Sequence, residues 1–245
     1  LRTLTGGITS TADATINSVT VGKGANSVAN NTVVGENALD ASVSGGGNTA
    51  IGVAALGATT SGENNTAIGR QALAANTTAS NNTAVGAFTL DSNTTGTENT
   101  ALGYLALQAN TTNGGNTAIG FATLDANTTG ANNTGVGRGA LGLNTTGDSN
   151  TAVGKNALDA NTTASNNNAF GNDALGANTT GDKNNAFGGA ALEANSTGTE
   201  NTAFGSRALQ SNTTASYNVA VGRDALRANT TGTQNTAVGT DALDA

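Results

Sequence analysis

Hydrophobic and polar positions in this chain follow no helical period; they return together at a fixed interval of 17 residues. The pentapeptide Asn-Thr-Ala-(Ile/Val)-Gly marks the register, with its Asn at Asn31, Asn48, Asn65 and onward to Asn235, and no insertion interrupts it. Four residues after each Asn stands Gly, from Gly35 to Gly239, and eight after it stands Leu, from Leu39 to Leu243, in all thirteen copies. A unit such as Asn65 to Asn81 is too short for a pair of helices and suits two short strands joined by turns. The pattern predicts an all-β repeat solenoid of about thirteen stacked coils.

Within that unit the segment Thr66 to Ile68 reads as the first strand, and alternation puts Thr66 and Ile68 on one face and Ala67 on the other. Gly69 supplies a bend, Ala72 to Ala75 read as a second strand with Leu73 pointing at Ile68, and Asn76-Thr77-Thr78 begins the return turn. The expected core ladder is therefore Leu73, Leu90, Leu107 and Leu124 set against Ile68, Ile119 and the three consecutive aromatics Phe170, Phe187 and Phe204. The residue before the branched position is Ala in eleven of thirteen copies, with Val33 and Gly135 as the exceptions. On this alternation Ala67, Ala84, Ala101, Ala118 and Ala152 face outward. They read either as plain strand filling or as a small-residue stripe for close lateral packing between neighbouring chains.

Composition narrows the object. With 36% hydrophobic residues, mostly Ala, and only 3% aromatic, the core is thin and the molecule narrow. A net charge of −7 and nine scattered basic residues argue against a nucleic-acid partner. No Cys or His is present, so neither a thiolate metal site nor a Ser–His nucleophile is expected; the chain reads as a non-enzyme without cofactor or metal. Asp40, Asp91, Asp125, Asp159, Glu193 and Asp244 share one repeat position, which reads as a solvated acidic face, with a sugar-cleaving carboxylate pair as the sharper alternative. No apolar run approaches the roughly 18 residues of a membrane span, so membrane insertion by this segment is not expected.

Residues 1–16 lie outside the repeat and read as an N-terminal cap or docking segment; residues 17–245 read as the solenoid domain. The start at Leu1 points to a processed product. The stop in mid-coil at Asp244-Ala245 raises end-to-end polymerisation through an open edge.

A second ladder comes from the sequons at Asn76, Asn93, Asn110, Asn127, Asn144, Asn161, Asn178, Asn195, Asn212 and Asn229. They read as a stacked Asn and Thr ladder that satisfies turn backbone groups, or as a stripe of N-glycosylation. The paired Thr residues beside them also raise ice binding. Variable residues after each Gly mark a solvent-facing corner, where Tyr104, Phe121 and Arg138 are candidates for recognising a glycan or another surface.

The segments Asn17-Ser-Val-Thr-Val-Gly22 and Asn26-Ser-Val-Ala29, followed by the Asn-Thr-Ala-Ile-Gly series, resemble the head repeats of YadA-like trimeric autotransporter adhesins. The longer form ending in Ala-Asn-Thr-Thr-Gly resembles repeats of phage-type tail fibre proteins. The resemblance covers residues 17–245. It implies a left-handed β-roll, three chains side by side, and display outside the cell or on a virion. The function it implies is a structural fibre or adhesin shaft, with self as partner and a surface glycan or receptor as the alternative one.

Overall fold

The computed structural model describes residues 13–16, 18–41 and 43–244. They form a single 15-stranded sheet in which the strands follow one another in chain order. The sheet opens with a hairpin, β1 (Ala14–Ile16) antiparallel to β2 (Val19–Gly22), and β2 runs antiparallel to β3 (Thr32–Gly35). From β3 onward the pairing is parallel and strictly in register: β4 (Thr49–Ile51) pairs Ala50 with Ala67 of β5 (Thr66–Ile68), and this continues to β15 (Thr236–Val238). Thirteen parallel strands therefore delimit about twelve stacked coils.

The hairpin covers the sheet edge at β3 and straddles the expected boundary at residue 16. The Asp13 carboxylate ties it down by accepting the backbone N–H groups of Lys23 at 2.7 Å and Gly24 at 2.6 Å. Of the segment expected to cap or dock, residues 1–12 lie outside the described residues.

Each coil donates backbone hydrogen bonds in both directions along the stack. In the Asn65 unit the N–H groups of Gly69 and Gln71 reach back to the carbonyls of Ile51 and Val53, at 2.7 and 2.8 Å. Those of Leu73, Ala75 and Thr77 reach forward to Thr89, Asp91 and Thr94, each at 3.0 Å. Nearly every turn group thus finds a partner in a neighbouring coil, which is what permits so narrow a fold.

The segment expected as a second strand is instead a turn in which left-handed residues recur at every other position, Gln71 at φ 57° and Leu73 at φ 52°. All thirteen repeat Leu residues adopt this conformation. It is one that a branched side chain occupies at a cost of about 1–2 kcal/mol. The benefit is a sharp reversal that aims the Leu side chains from Leu39 to Leu226 into the interior, where Leu73, Leu90, Leu107 and Leu124 are completely buried; Leu243 at the open end of the stack is exposed.

The strand faces are the reverse of those the alternation suggested. Ala67, Ala84, Ala101, Ala118 and Ala152 are completely buried, while Ile68 and Ile119 are each 37% exposed, Phe170 is 37% exposed and Phe204 52%. Phe187 is half-buried on the same outward face. The reason is volume. One coil encloses two Ala and one Leu, as with Ala67, Ala72 and Leu73, and a branched side chain on the inner strand face would collide with the Leu turn opposite. The Gly135 exception fits this account: a Cβ there would lie 2.6 Å from Cγ2 of Thr123, a larger residue standing where most coils have Ala.

The corner glycine is equally constrained. Gly120 has φ 138°, and a Cβ on it would lie 2.7 Å from the carbonyl oxygen of Gly137 in the next coil. Coils stack too closely at this corner for any side chain.

Candidate interaction surface

Three surfaces run the length of the stack. The first is the outward strand face. It carries Thr at the first position of the eight strands that begin at Thr32, Thr49, Thr66, Thr83, Thr100, Thr117, Thr134 and Thr151, and Ile, Val or Leu at the third. Further on, Phe170, Phe187 and Phe204 stack at ring-centroid separations of 4.8 and 4.7 Å, nearly parallel at 6° and 21°. No strand from β3 to β15 puts a charged residue at either outward position.

The second surface is the Asn-Thr-Thr turn. Here the sequon asparagines are structural: from Asn76 to Asn212 they are completely buried, and Asn229 in the last coil is half-buried. Asn110 Nδ2 donates to Asn93 Oδ1 and to the Asn113 carbonyl, both at 2.9 Å, and the arrangement recurs coil after coil. A glycan on Nδ2 would remove a donor from this ladder and has no room inside it, so the folded stack and glycosylation at these positions exclude each other. The first Thr of each pair is committed too, since Thr94 Oγ1 donates to the Thr111 carbonyl at 3.1 Å. The second Thr of each pair, as at Thr78, Thr95, Thr112 and Thr129, is exposed, so the turn keeps an outward Thr in each of these coils.

The third surface is the corner after the strand. Tyr104 and Phe121 occupy the same position in adjacent coils and stack with centroids 5.7 Å apart. Phe88 meets Tyr104 edge-on at 6.0 Å, and the guanidinium groups of Arg70 and Arg138 lie 4.6 Å over Phe88 and 5.9 Å over Phe121. The ridge thus joins Tyr104, Phe121 and Arg138, which the sequence singled out, to Phe88 and Arg70, which it did not. Phe88 sits one residue later in its unit, so a column read every 17 residues passes beside it.

Beside the ridge lies a recess of about 280 Å³ whose lining includes Phe121, Asp125, Arg138, Leu143, Asn156 and Asp159. Partial burial raises the carboxyl pKa of Asp125, with the charge of Asp159 adding to the effect against the lowering influence of its own and the Ala126 backbone N–H groups. Burial likewise raises that of Asp159, helped by the charge of Asp173, and burial alone raises that of Asp91. The carboxylates of the shared repeat position alternate with Gly142 and Gly176, so Asp125 and Asp159 stand two coils apart, about 9–10 Å.

No protein-family model matches the chain, and no curated protein or solved structure matches it at a significant level. What the chain does has to be argued from these three surfaces.

Proposed function

We propose that the chain is the structural shaft of an extracellular fibre or adhesin, in which three copies pack side by side through the outward strand face. The carrying observation is the absence of charge along that face. Over thirteen strands it presents only Thr, Asn, Val, Ile, Leu and Phe, while a net charge of −7 is distributed over the remaining surface. Copies that repel one another elsewhere can approach here without desolvating an ion.

Geometry favours a second copy as the occupant. Every copy carries the same column at the same strand spacing, so coil can meet coil along the whole length. Twelve spacings of about 4.8 Å make a face about 60 Å long and about 10 Å wide, or about 600 Å² before flanking residues are counted. That approaches the roughly 800 Å² per partner of a stable interface. A single face per chain closes naturally around a symmetry axis, and the resemblance of the repeat to trimeric adhesin heads and tail fibres supports three-fold closure.

Small-angle X-ray scattering tests this reading. Side-by-side association enlarges the cross-section while the length stays near about 60 Å. A cross-section of one coil stack at every concentration would sink it.

One observation favours a second reading of the same face. The eight consecutive Thr residues from Thr32 to Thr151 form a regular hydroxyl and methyl array on the sheet, which suits ordering of water at an ice surface. Thermal hysteresis by a monomeric chain would favour this reading over the shaft, and its absence would remove it.

A further inference from the structure

The recess beside the aromatic ridge is encoded by two glycines at variable positions of the repeat. In the coils on either side, Ala122 and Asn156 occupy one position and Asp125 and Asp159 another; in the coil between them both positions are glycine, Gly139 and Gly142. A Cβ on Gly142 would lie 2.7 Å from Oδ1 of Asp159, so any side chain there intrudes on the space in front of that carboxylate. The missing side chains leave a hollow with an aromatic wall and an acceptor-rich rim.

We propose that this recess is a subsite for one neutral pyranose ring of a glycan, packed against the exposed edge of Phe121 and hydrogen-bonded through its hydroxyls to Asp125, Asn156 and Asp159. Phe121 is 50% exposed and held between Tyr104 and Arg138, so its faces are covered and it offers its edge as a fixed apolar wall. The apolar C–H groups of a sugar pack against such an edge and leave water together with it. Asn156 gives Nδ2 to Asp173 Oδ1 at 3.0 Å, which leaves its Oδ1 as the group it offers to a hydroxyl. Two carboxylates and an amide oxygen accept, and the Arg138 guanidinium donates. That complement matches a molecule that is mainly O–H donors.

Other ligand classes fit less well. An anion would face two carboxylates, and a purely apolar ligand would strip water from them without replacing its hydrogen bonds. The volume of about 280 Å³ falls just below the roughly 300–1,000 Å³ of sites for drug-sized ligands, as suits a single ring. An adjoining recess of about 240 Å³, lined in part by Asp173, Gly176 and Glu193, shares Asn156 and Asp159 with the first. It extends the groove along the stack and has space for the next ring. Partial desolvation of the two aspartates strengthens each hydrogen bond they accept. The site uses no outward strand residue and stands whether or not the chain self-associates.

Saturation-transfer NMR on the full chain tests it, with methyl glucoside, methyl galactoside, methyl mannoside and methyl N-acetylglucosaminide as probes and butylamine as a cationic control. At least one pyranoside is expected to bind with a Kd of roughly millimolar order. Phe121→Ala should weaken it about tenfold or more. So should Gly142→Gln, which installs the residue this repeat position already holds at Gln108 and Gln210. Tyr217→Ala, at an exposed aromatic outside the recess, should leave it unchanged. No transfer to any pyranoside, transfer equal in the Phe121 and Gly142 variants, or transfer to the amine alone would overturn the proposal.

Discussion

Asn82 and Asn93 donate their side-chain amides to one acceptor, the carbonyl oxygen of Gly96, each at 2.9 Å. One belongs to the ladder that opens each repeat and the other to the ladder of the return turn. The same clamp recurs with Asn133 and Asn144 on the Gly147 carbonyl, at 2.8 and 3.1 Å. The first ladder also stitches coil to coil, as Asn99 donates its backbone N–H to Asn82 Oδ1 at 2.9 Å. Two amide columns that converge on most turn carbonyls, together with the coil-to-coil bonds of the first, account for Asn at the opening position of all thirteen units.

Removing one member of the clamp leaves buried groups unpaired. Asn93→Ala deprives Asn110 Nδ2 of one acceptor and Gly96 of one donor, and it should destabilise the chain by about 1–3 kcal/mol in urea unfolding. A change within experimental error would mean that the ladder does not hold the turn.

The strand faces make opposite demands on adjacent residues. Ala118→Leu forces a larger side chain into a filled interior and should cost about 1–3 kcal/mol or more at any protein concentration. Ile119→Thr on the outward face should cost a dissociated chain about 0.5 kcal/mol or less, with a larger loss only where copies associate. Denaturation at several concentrations checks both. The reverse ranking would return Ile119 to the core.

The corner tolerates no Cβ. Gly120→Ala meets both the φ of 138° and the Gly137 carbonyl, and it should lower stability by about 1–3 kcal/mol or more, read as a fall in midpoint temperature. Gly142→Ala, whose Cβ would meet the side-chain end of Asp159 at 2.7 Å and the Gly139 carbonyl oxygen only at 3.3 Å, should cost less.

Burial raises the folded-state pKa of Asp91, Asp125 and Asp159 above the ordinary carboxylate value of 3.8, so the folded chain holds more protons than the unfolded one just above that pH. Stability contributed by these groups is therefore present below the unfolded pKa and is lost as pH rises through the folded one. Asp125→Asn should raise the midpoint temperature at pH near 7 and flatten the pH dependence in the acid range, as calorimetry can show. A fall in midpoint at neutral pH would contradict this assignment.

Much of this was legible in the chain itself. Strict recurrence of Asn, Gly and Leu every 17 residues dictates stacked coils, because only in-register stacking gives each copy the same surroundings. The facing of the strand was not legible. Alternation separates Ala67 from Ile68 but does not say which is inside, and the expectation that bulk goes inward fails where Leu73 already fills the interior. A signal was present in the near-invariance of Ala beside a drifting Ile, Val, Leu or Phe, since an interior this thin fixes size more tightly than an open face. The second strand was misread because Leu73 takes a left-handed conformation that its residue type disfavours and only coil-to-coil bonding rewards. The recess was hidden for another reason: Gly142 is one of many residues at a variable position, and its meaning appears only beside Asp125 and Asp159.

The side-by-side shaft stands or falls most directly on mass in solution. Light scattering of the intact chain, 23.6 kDa as a monomer, should give about three times that mass, and Ile119→Lys with Phe187→Lys on the uncharged face should return it to 23.6 kDa. A wild-type mass of 23.6 kDa at every concentration would contradict the account.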